Sequence, residues 1–445
     1  MTATEAAALA VPRYTSYPTA NRFSGAIGPE QHAAWLAALP EAALLSIYVH
    51  VPYCREICLY CGCTTEGVRR HTVLESYLDA LAAEITAVAR LLPPRHRVVH
   101  LHWGGGSPDV LEPADIATLT SLLWRHLRIT PGAEFAVEID PRGLTAGRAD
   151  ALAAAGLTRA SFGVQDFAPD VQRAIGRVQG YDTTARAIAM LRDRGVASIN
   201  LDLVYGLPRQ TLASVTETAR RVVALAPDRV AVFGYAHLPE RAPRQRRIDP
   251  ALLPDSAARA AQMAAIGQVL RDAGYVARGI DHYARPDDAM ATARLHRNFQ
   301  GYTTDEADAL IGFGASAVSC LPGGFTQNAP RAREYKQSVA AAGFATIRGA
   351  ALDPEDRARG YAIERILCDF ALSRAALRQA FGPDAAAVEA LADAVLRDSS
   401  PDWLDPTEDG FRLTEAGRPY ARLIASRFDR YFDREGHGGR HSPVI

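Results

Sequence analysis

Tyr48-Val-His-Val-Pro-Tyr-Cys54-Arg-Glu-Ile-Cys58-Leu-Tyr-Cys61-Gly-Cys63 packs four cysteines into ten residues. The first three are spaced C-x3-C-x2-C, which offers three thiolates and no fourth in the same register. An iron–sulfur cube held by three cysteines keeps one iron without a protein ligand, open to an external chelator. The apolar run Ser46–Val51 just ahead has strand character, so the loop is expected to hang from a strand end. Cys63, two residues past Cys61, is expected to turn away from the cube and is not counted as a ligand.

Two other readings of the cysteines compete. A zinc site ordinarily pairs two short Cys or His knuckles some distance apart. The remaining cysteines, Cys320 and Cys368, have no cysteine or histidine at ligand spacing. A disulfide framework would be sparse for 445 residues, and such crowding suits it poorly. The cluster reading is the stronger, with zinc as its alternative.

Composition narrows the chemistry further. A chain of 445 residues can hold one large catalytic domain and a smaller one. Its net charge of −1, without a basic run, argues against a nucleic-acid partner. No apolar run reaches the ~18 residues that read as a membrane span. Met1–Ala10 carries Glu5 and no basic residue, which predicts no secretory leader. Unpaired cysteines with a labile cluster predict a reducing cytoplasm. Lys336 is the only lysine among 49 lysines and arginines. There is accordingly no G-x4-G-K-[ST] phosphate loop, and Schiff-base chemistry has a single candidate amine.

Beyond the cysteines, strand-like and helix-like segments alternate. Strands are predicted at Val98–Trp103, Phe135–Ile139, Arg159–Phe162, Ile199–Val204 and Val230–Tyr235. Helices are predicted at Leu74–Leu92, Pro113–Leu127, Ala146–Ala155, Thr183–Arg194 and Leu212–Leu225. Such alternation predicts an α/β fold with a parallel sheet, open or curled into part of a barrel. Chemistry in these folds collects at the carboxyl ends of the strands. Cys54, Gly104–Gly106, Glu138, Gln165 and Asp202 each follow or close a predicted strand. From about Ala341 the pattern is mainly helical (Tyr361–Phe370, Arg374–Ala380, Ala385–Leu396). A hairpin around Trp403–Thr414 and a helix through Phe432 follow, a winged-helix-like order. The divisions expected are 1–45, an N-terminal arm; 46–340, the catalytic domain; and 341–445, the C-terminal domain, read as a lid or substrate-side wall.

Trp103-Gly-Gly-Gly-Ser-Pro108 lets backbone approach a ligand closely, although a lone glycine run is more often an ordinary turn. The aromatic face of Tyr60 suits a purine. Glu138 supplies a carboxylate at a strand end, where an ammonium or a ribose hydroxyl could bond. Glu138, Gln165 and Asp202 taken singly are more often structural than functional.

Together these stretches are similar to one enzyme family, the bacterial oxygen-independent coproporphyrinogen III oxidases of the radical S-adenosylmethionine superfamily. The resemblance rests on Pro12-Arg-Tyr-Thr-Ser-Tyr-Pro-Thr19, the cysteine loop with Gly62-Cys63, and His102-Trp-Gly-Gly-Gly-Ser-Pro108. It also rests on Gly163-Val-Gln-Asp-Phe167, Asp202-Leu-Val-Tyr-Gly-Leu-Pro208, Tyr235-Ala-His-Leu-Pro239, Asp281–Asp288 and His296-Arg-Asn-Phe-Gln-Gly-Tyr-Thr-Thr304. The fourth cysteine and the arm motif set the oxidases apart from heme-chaperone relatives. The resemblance implies a partial (β/α)6 radical SAM barrel with a mainly helical C-terminal domain. It implies a [4Fe-4S] cluster on Cys54, Cys58 and Cys61, and two S-adenosylmethionine molecules. Tyr48, Gly105, Glu138 and Val318 match positions at the first, where Tyr60 stacks on adenine; Gly106, Ser107, Gln165, Arg177, Asp202 and Ala236 match those at the second. Ser107 stands where threonine is common, and the segment between Asp288 and Leu295 is about four residues shorter than the family's usual spacing.

The implied reaction converts two propionates of coproporphyrinogen III to vinyl groups, giving protoporphyrinogen IX in heme biosynthesis. A 5′-deoxyadenosyl radical takes a hydrogen from the propionate β-carbon, and CO₂ and one electron then leave. The implied setting is a cytoplasmic monomer with a reduced flavodoxin or ferredoxin-type donor, no membrane span and no nucleic acid. Arg13, Arg22, Arg285 and Arg297 are the candidate forks for substrate carboxylates. A heme-binding chaperone of the same superfamily and a metal-binding module without turnover are the alternatives.

Overall fold

The computed structural model describes residue 9 and residues 11–432. Met1–Ala10, on which the leader reading rests, lies almost wholly outside them, as does the end of the C-terminal division. Six strands, with helices between them, run from β1 to β6. They are β1 (Leu44–Val51), α1 (His71–Ala89), β2 (Arg97–Gly105), α2 (Pro113–His126), β3 (Ile129–Ile139), α3 (Ala146–Ala154), β4 (Arg159–Gln165), α4 (Tyr181–Arg192), β5 (Ser198–Tyr205), α5 (Leu212–Ala224) and β6 (Arg229–Gly234). Successive strands are neighbours and all are parallel, the (β/α)6 order expected. β3 is longer than the predicted Phe135–Ile139, starting at Ile129 and running through Pro131-Gly132. A register shift opposite Val98/His100 absorbs the extra residues there.

The two-residue period of the strands sorts the chemistry. Leu45, Ile47 and Val49 on β1, Leu101 and Trp103 on β2, and Phe135, Val137 and Ile139 on β3 belong to the main apolar core beneath the helices. Phe162, Leu201 and Val232 continue that face on β4, β5 and β6. Residues between them point the other way. Tyr48 and His50, His100 and His102, Glu134 and Glu138, Ser161, and Asn200 and Asp202 therefore line the inner face. The register sets Tyr48 beside His102, and Glu138, Ser161 and Asn200 in one row. Toward the amino ends, Glu134 joins Arg159 and, at 3.0 Å, His100, while Arg229 pairs with Asp288 at 2.8 Å. Ionic contacts thus close the floor, leaving the carboxyl ends open.

The sheet extends past the six units to twelve strands. Ala309–Phe313 adds a seventh parallel strand on the free side of β1, which the sequence reading lacked. Val318–Leu321, Gly324–Asn328 and Thr346–Ala351 follow it antiparallel. The last of these lies past residue 341, so the sheet continues into the segment assigned to the C-terminal domain. Beyond β6, helix α6 (Ser256–Asp272) leads to antiparallel Val276–Arg278 and His282–Ala284.

Helices Pro354–Asp369, Arg374–Phe381 and Ala386–Asp398 surround a three-stranded sheet of Ala371–Ser373, Leu404–Thr407 and Gly410–Leu413. The expected helix through Phe432 is instead broken into a turn at Arg418–Tyr420, one short helix Ala421–Ala425 and a turn at Ser426–Phe428. The Ser426 hydroxyl bonds back to the Leu423 carbonyl at 2.7 Å, a side-chain bond that competes with helix continuation. The arm folds against this unit: Val11, Tyr14 and Tyr17 share its apolar core with Ile366, Leu372 and Phe411. Arg422 donates to the Val11 and Pro12 carbonyls, and Tyr14 donates to Asp429 at 3.1 Å. Among the described residues no helix is long and apolar enough to cross a membrane.

Tyr14→Ala removes a buried aromatic ring that joins the two ends of the chain. It should cost roughly 3–5 kcal/mol, read as a lower urea midpoint, with earlier proteolytic cleavage in the C-terminal unit than in the sheet.

Candidate active site

The cysteine loop has little regular structure of its own. A two-residue bridge pairs Tyr53–Cys54 with Glu66–Gly67. Segments beyond β4 and β6 anchor the remainder: the Leu59 N–H donates to the carbonyl of Ile175, at the end of the short helix Pro169–Ala174, at 2.9 Å, and Gln245 Nε2, from the helical turn Pro243–Arg247, donates to Tyr60 O at 2.8 Å. Each sulfur of Cys54, Cys58 and Cys61 accepts a hydrogen bond. The donors are Thr65 Oγ1 at 3.3 Å to Cys54, Arg177 Nη1 at 3.5 Å to Cys58, and the Cys63 N–H at 3.4 Å to Cys61. Arg142 Nη2 also approaches Cys58 Sγ, at 3.9 Å. A [4Fe-4S] cluster takes its thiolates on different irons, which the three sulfurs of this loop can supply. Donors already aimed at the sulfurs are the outer contacts such a cluster requires.

Cys63 does not turn away as expected. It is solvent-exposed on the cleft side, hydrogen-bonded through its thiol and N–H to Cys61. Those bonds are the main cause of the low Cys61 thiol, held at about 6, whereas burial pushes Cys54 up to about 11.

Glu138 stands at the centre of the inner face. It accepts from the Gly105 N–H at 3.0 Å and faces His102 Nε2 at 3.2 Å. Burial would raise its carboxyl, but the His102 and Gly105 bonds outweigh that and hold it below the usual range. A side chain 39 % exposed thus keeps an ionised carboxylate open to the cleft. Gly105 has φ +108°, and a β-carbon there would collide with the His50 imidazole. At Gly106 a β-carbon would meet Tyr53 O at 2.5 Å. Tyr48 is buried on β1 with its hydroxyl 3.0 Å from His50 Nδ1. Tyr60 is half-buried beside Arg177, and Val318 packs with Phe23 and Phe325 across Gly312, the register partner of Tyr48.

Of the remaining matched positions, the Ser107 hydroxyl is engaged within the protein, donating to Asp109 and accepting from the Asp140 N–H at 3.1 Å. Gln165 closes β4 with φ +65° and is buried. The Ala236 carbonyl accepts from Gln245 at 3.2 Å. Arg177 and Asp202 do not pair with each other. Arg177 bonds Asp140 at 3.2 Å and Gly163 O at 2.8 Å, while Asp202 accepts from Asn200 Nδ2 at 2.8 Å. Arg177 also touches the Cys58 sulfur of the cysteine loop, so Asp202 is the cleaner probe of a second cofactor. Burial, with Glu138 nearby, pushes the Asp202 carboxyl up to about 6.

The candidate arginines divide. Arg297 donates to the Arg13 and Tyr14 carbonyls, both at 3.1 Å, near the strand ends. Arg22 is occupied by the Tyr431 carbonyl at the C-terminal unit. Arg285 is misassigned: its N–H bonds Asp228 O just before β6, at the amino end of the sheet, and its guanidinium pairs with Asp287. The shortened segment after Asp288 starts at that same floor, where Arg229 holds it. Sequence reasoning named no role for Thr65, Arg142 or Asn200, although the two-residue period of β5 puts Asn200 and Asp202 on one face.

A family model described as the radical SAM superfamily matches residues 48–222. Fold and cysteine loop together define a radical S-adenosylmethionine enzyme. The chain is 46 % identical to the oxygen-independent coproporphyrinogen III oxidase of Bradyrhizobium diazoefficiens over 95 % of either chain. Identity to the Escherichia coli enzyme of that name is 39 %, over 98 % of this chain and 96 % of the other. The solved structure of the Escherichia coli coproporphyrinogen III oxidase has a TM-score of 0.90 to this fold at 38 % identity, covering 94 % of this chain and 98 % of that one. This chain belongs to the oxygen-independent coproporphyrinogen III oxidase family.

Cys54→Ser, Cys58→Ser and Cys61→Ser should each abolish the brown cluster absorbance and bound iron after anaerobic reconstitution. Cys63→Ser should retain both, because three thiolates suffice for a cube with one open iron. Equal iron loss in all four variants would contradict the assignment.

Proposed function

We propose that this chain performs the oxygen-independent oxidative decarboxylation of two propionate side chains of coproporphyrinogen III to vinyl groups, yielding protoporphyrinogen IX in heme biosynthesis. The observation that carries this reading is the near full-length identity to the oxidases, joined to a three-thiol loop at the open end of the barrel. Each propionate loses its carboxyl as CO₂ and one β-hydrogen. One electron leaves with that hydrogen and one passes to an external acceptor.

When bound, the reduced cluster and S-adenosylmethionine supply one-electron cleavage of the sulfonium and a hydrogen-abstracting radical. The chain's own residues bind and align. Cys54, Cys58 and Cys61 hold the cluster; the ionised Glu138 receives the methionine ammonium; Tyr60 faces adenine; and the glycines at 104–106 admit the ligand backbone-close. Arg13 and Arg297 bring cationic forks to the anionic substrate. A second S-adenosylmethionine, set against Asp202, Gln165 and Ala236, accounts for the cluster of buried polar groups on β4 and β5. A reduced flavodoxin or ferredoxin-type donor and a monomeric cytoplasmic enzyme complete the proposal.

The test is anaerobic turnover of reconstituted protein with coproporphyrinogen III, S-adenosylmethionine and a reductant, with protoporphyrin read by fluorescence after oxidation. One methionine should appear for each propionate converted; heme binding without product would favour the chaperone alternative. Asp202→Ala should keep iron and lose one of the two bound S-adenosylmethionines. A lost hydrogen bond to a charged group costs on the order of 1.5–3 kcal/mol, roughly tenfold to more than a hundredfold in affinity. In the parent, that second binding event should weaken as pH falls through about 6 and the Asp202 carboxylate protonates. Two molecules still bound at unchanged affinity would remove Asp202 from the site.

A further inference from the structure

Four of the seven residues from Arg241 to Arg247 are arginines, with no acid among them. The near-zero charge of the whole chain hides this short basic segment, which follows β6 and ends in the helical turn Pro243–Arg247. The turn is built against the cysteine loop. Gln245, its buried residue, donates to Tyr60 O at 2.8 Å and to Ala236 O at 3.2 Å, and accepts from the Leu238 N–H at 2.6 Å. Arg244 Nη2 donates to Thr65 O at 3.2 Å. Ile248 then packs with Ile175, Leu59 and Tyr60 in one apolar cluster.

Pinned by Gln245 and Ile248, the segment leaves Arg241, Arg246 and Arg247 exposed. Arg246 faces the exposed Glu240 at 3.5 Å. Among the described residues no carboxylate lies within ion-pair reach of Arg241 or Arg247. Asp249 is engaged in its own turn, accepting from the Ala251 N–H at 3.0 Å. On the same side of the loop, three residues past Ile175, Val178 stands 67 % exposed. It directly follows Arg177, whose guanidinium bonds Cys58 Sγ at 3.5 Å. A basic rim and an exposed aliphatic residue thus adjoin groups that hold the cysteine loop. The α2 side of the loop differs: there Arg55 pairs with Glu112 at 2.9 Å and Arg142 with Glu56 at 2.8 Å, so its cations are neutralised.

We propose that Arg241, Arg246 and Arg247, with Val178, form the docking face for the electron carrier, a small acidic protein that presents its one-electron cofactor to the cysteine loop. This rests on the reductive cleavage proposed above, which needs one electron delivered for each sulfonium split. Exposed guanidinium groups steer an acidic partner and set its orientation, and Val178 gives the contact an apolar centre inside a charged rim. In the docked pair the carrier is oxidised by one electron and the cluster reduced by one; no bond or proton has to move.

The probe is flavodoxin, an acidic carrier that can be held oxidised for binding and fully reduced for electron transfer. Calorimetry reads the binding of oxidised flavodoxin to reconstituted protein, and stopped-flow absorbance reads cluster reduction by the reduced form. Parental affinity should fall as salt rises, as for any association between opposed exposed charges. Arg241→Glu, Arg246→Glu and Arg247→Glu combined should weaken binding and slow reduction about tenfold or more at low salt, and flatten the salt dependence. Val178→Ser should weaken binding without changing the salt slope. Turnover with excess dithionite, iron content and S-adenosylmethionine stoichiometry should stay at parental values, as should flavodoxin binding to Arg55→Gln. If the triple variant loses iron, Arg241→Gln and Arg247→Gln, each removing one exposed charge, carry the same test. Unchanged flavodoxin affinity and rate overturn the face, as does an equal loss in Arg55→Gln or an equal loss of dithionite-driven turnover. A parent that turns over with dithionite yet neither binds flavodoxin nor takes its electrons defeats this inference alone. A parent inactive with both reductants defeats it together with the reaction.

Discussion

The Asp140 carboxylate ties the cysteine loop to the barrel. It lies between two guanidinium groups, Arg142 at 2.6 Å and Arg177 at 3.2 Å, and both reach Cys58 Sγ. A loop with only a two-residue bridge of its own needs such a clamp to hold three thiols at the strand ends. Asp140 sits just past β3, Arg142 two residues on, and Arg177 beyond β4, so one carboxylate joins two neighbouring units to the loop. The carboxylate is 18 % exposed and Arg177 8 %. Removing the acid would leave Arg177 poorly solvated and without a carboxylate, a loss of about 3–5 kcal/mol by analogy with broken buried pairs, while Arg142 keeps Glu56 at 2.8 Å.

The same strands that bury an apolar face under the helices turn polar residues inward, and this builds the rest of the site. Ionic contacts close the amino end through Glu134, Arg159 and Arg229. Midway, His102 and the Gly105 N–H hold Glu138 ionised. At the carboxyl end, the arm and the C-terminal unit bring in residues that the barrel lacks. Because Val11, Tyr14 and Tyr17 pack into the C-terminal core, arm and unit act as one cover, and the Arg297 guanidinium is tied to it through the Arg13 and Tyr14 carbonyls.

Local pattern made much of this legible in the sequence. The C-x3-C-x2-C spacing, the glycine run after a strand and the alternation of six strands with helices each depend on neighbours in the chain. What sequence could not resolve depends on distant segments. Arg285 and Arg297 look alike as candidates, but the antiparallel strand His282–Ala284 carries the chain down to the amino end, stranding Arg285 there before the chain returns to Arg297. The seventh parallel strand, Ala309–Phe313, is a short apolar run whose pairing with β1 is fixed only by the closed fold. Cys63 faces the cleft because its own thiol and N–H bind Cys61, a bond that spacing does not reveal.

Three thiolates leave one iron of the cluster free to take S-adenosylmethionine. Electron paramagnetic resonance of the reduced, reconstituted protein tests it directly. Adding S-adenosylmethionine should change the g-values of the cluster signal in the parent and equally in Cys63→Ser, with iron content constant. A reduced-cluster spectrum that does not respond to S-adenosylmethionine at saturating concentration would contradict the claim.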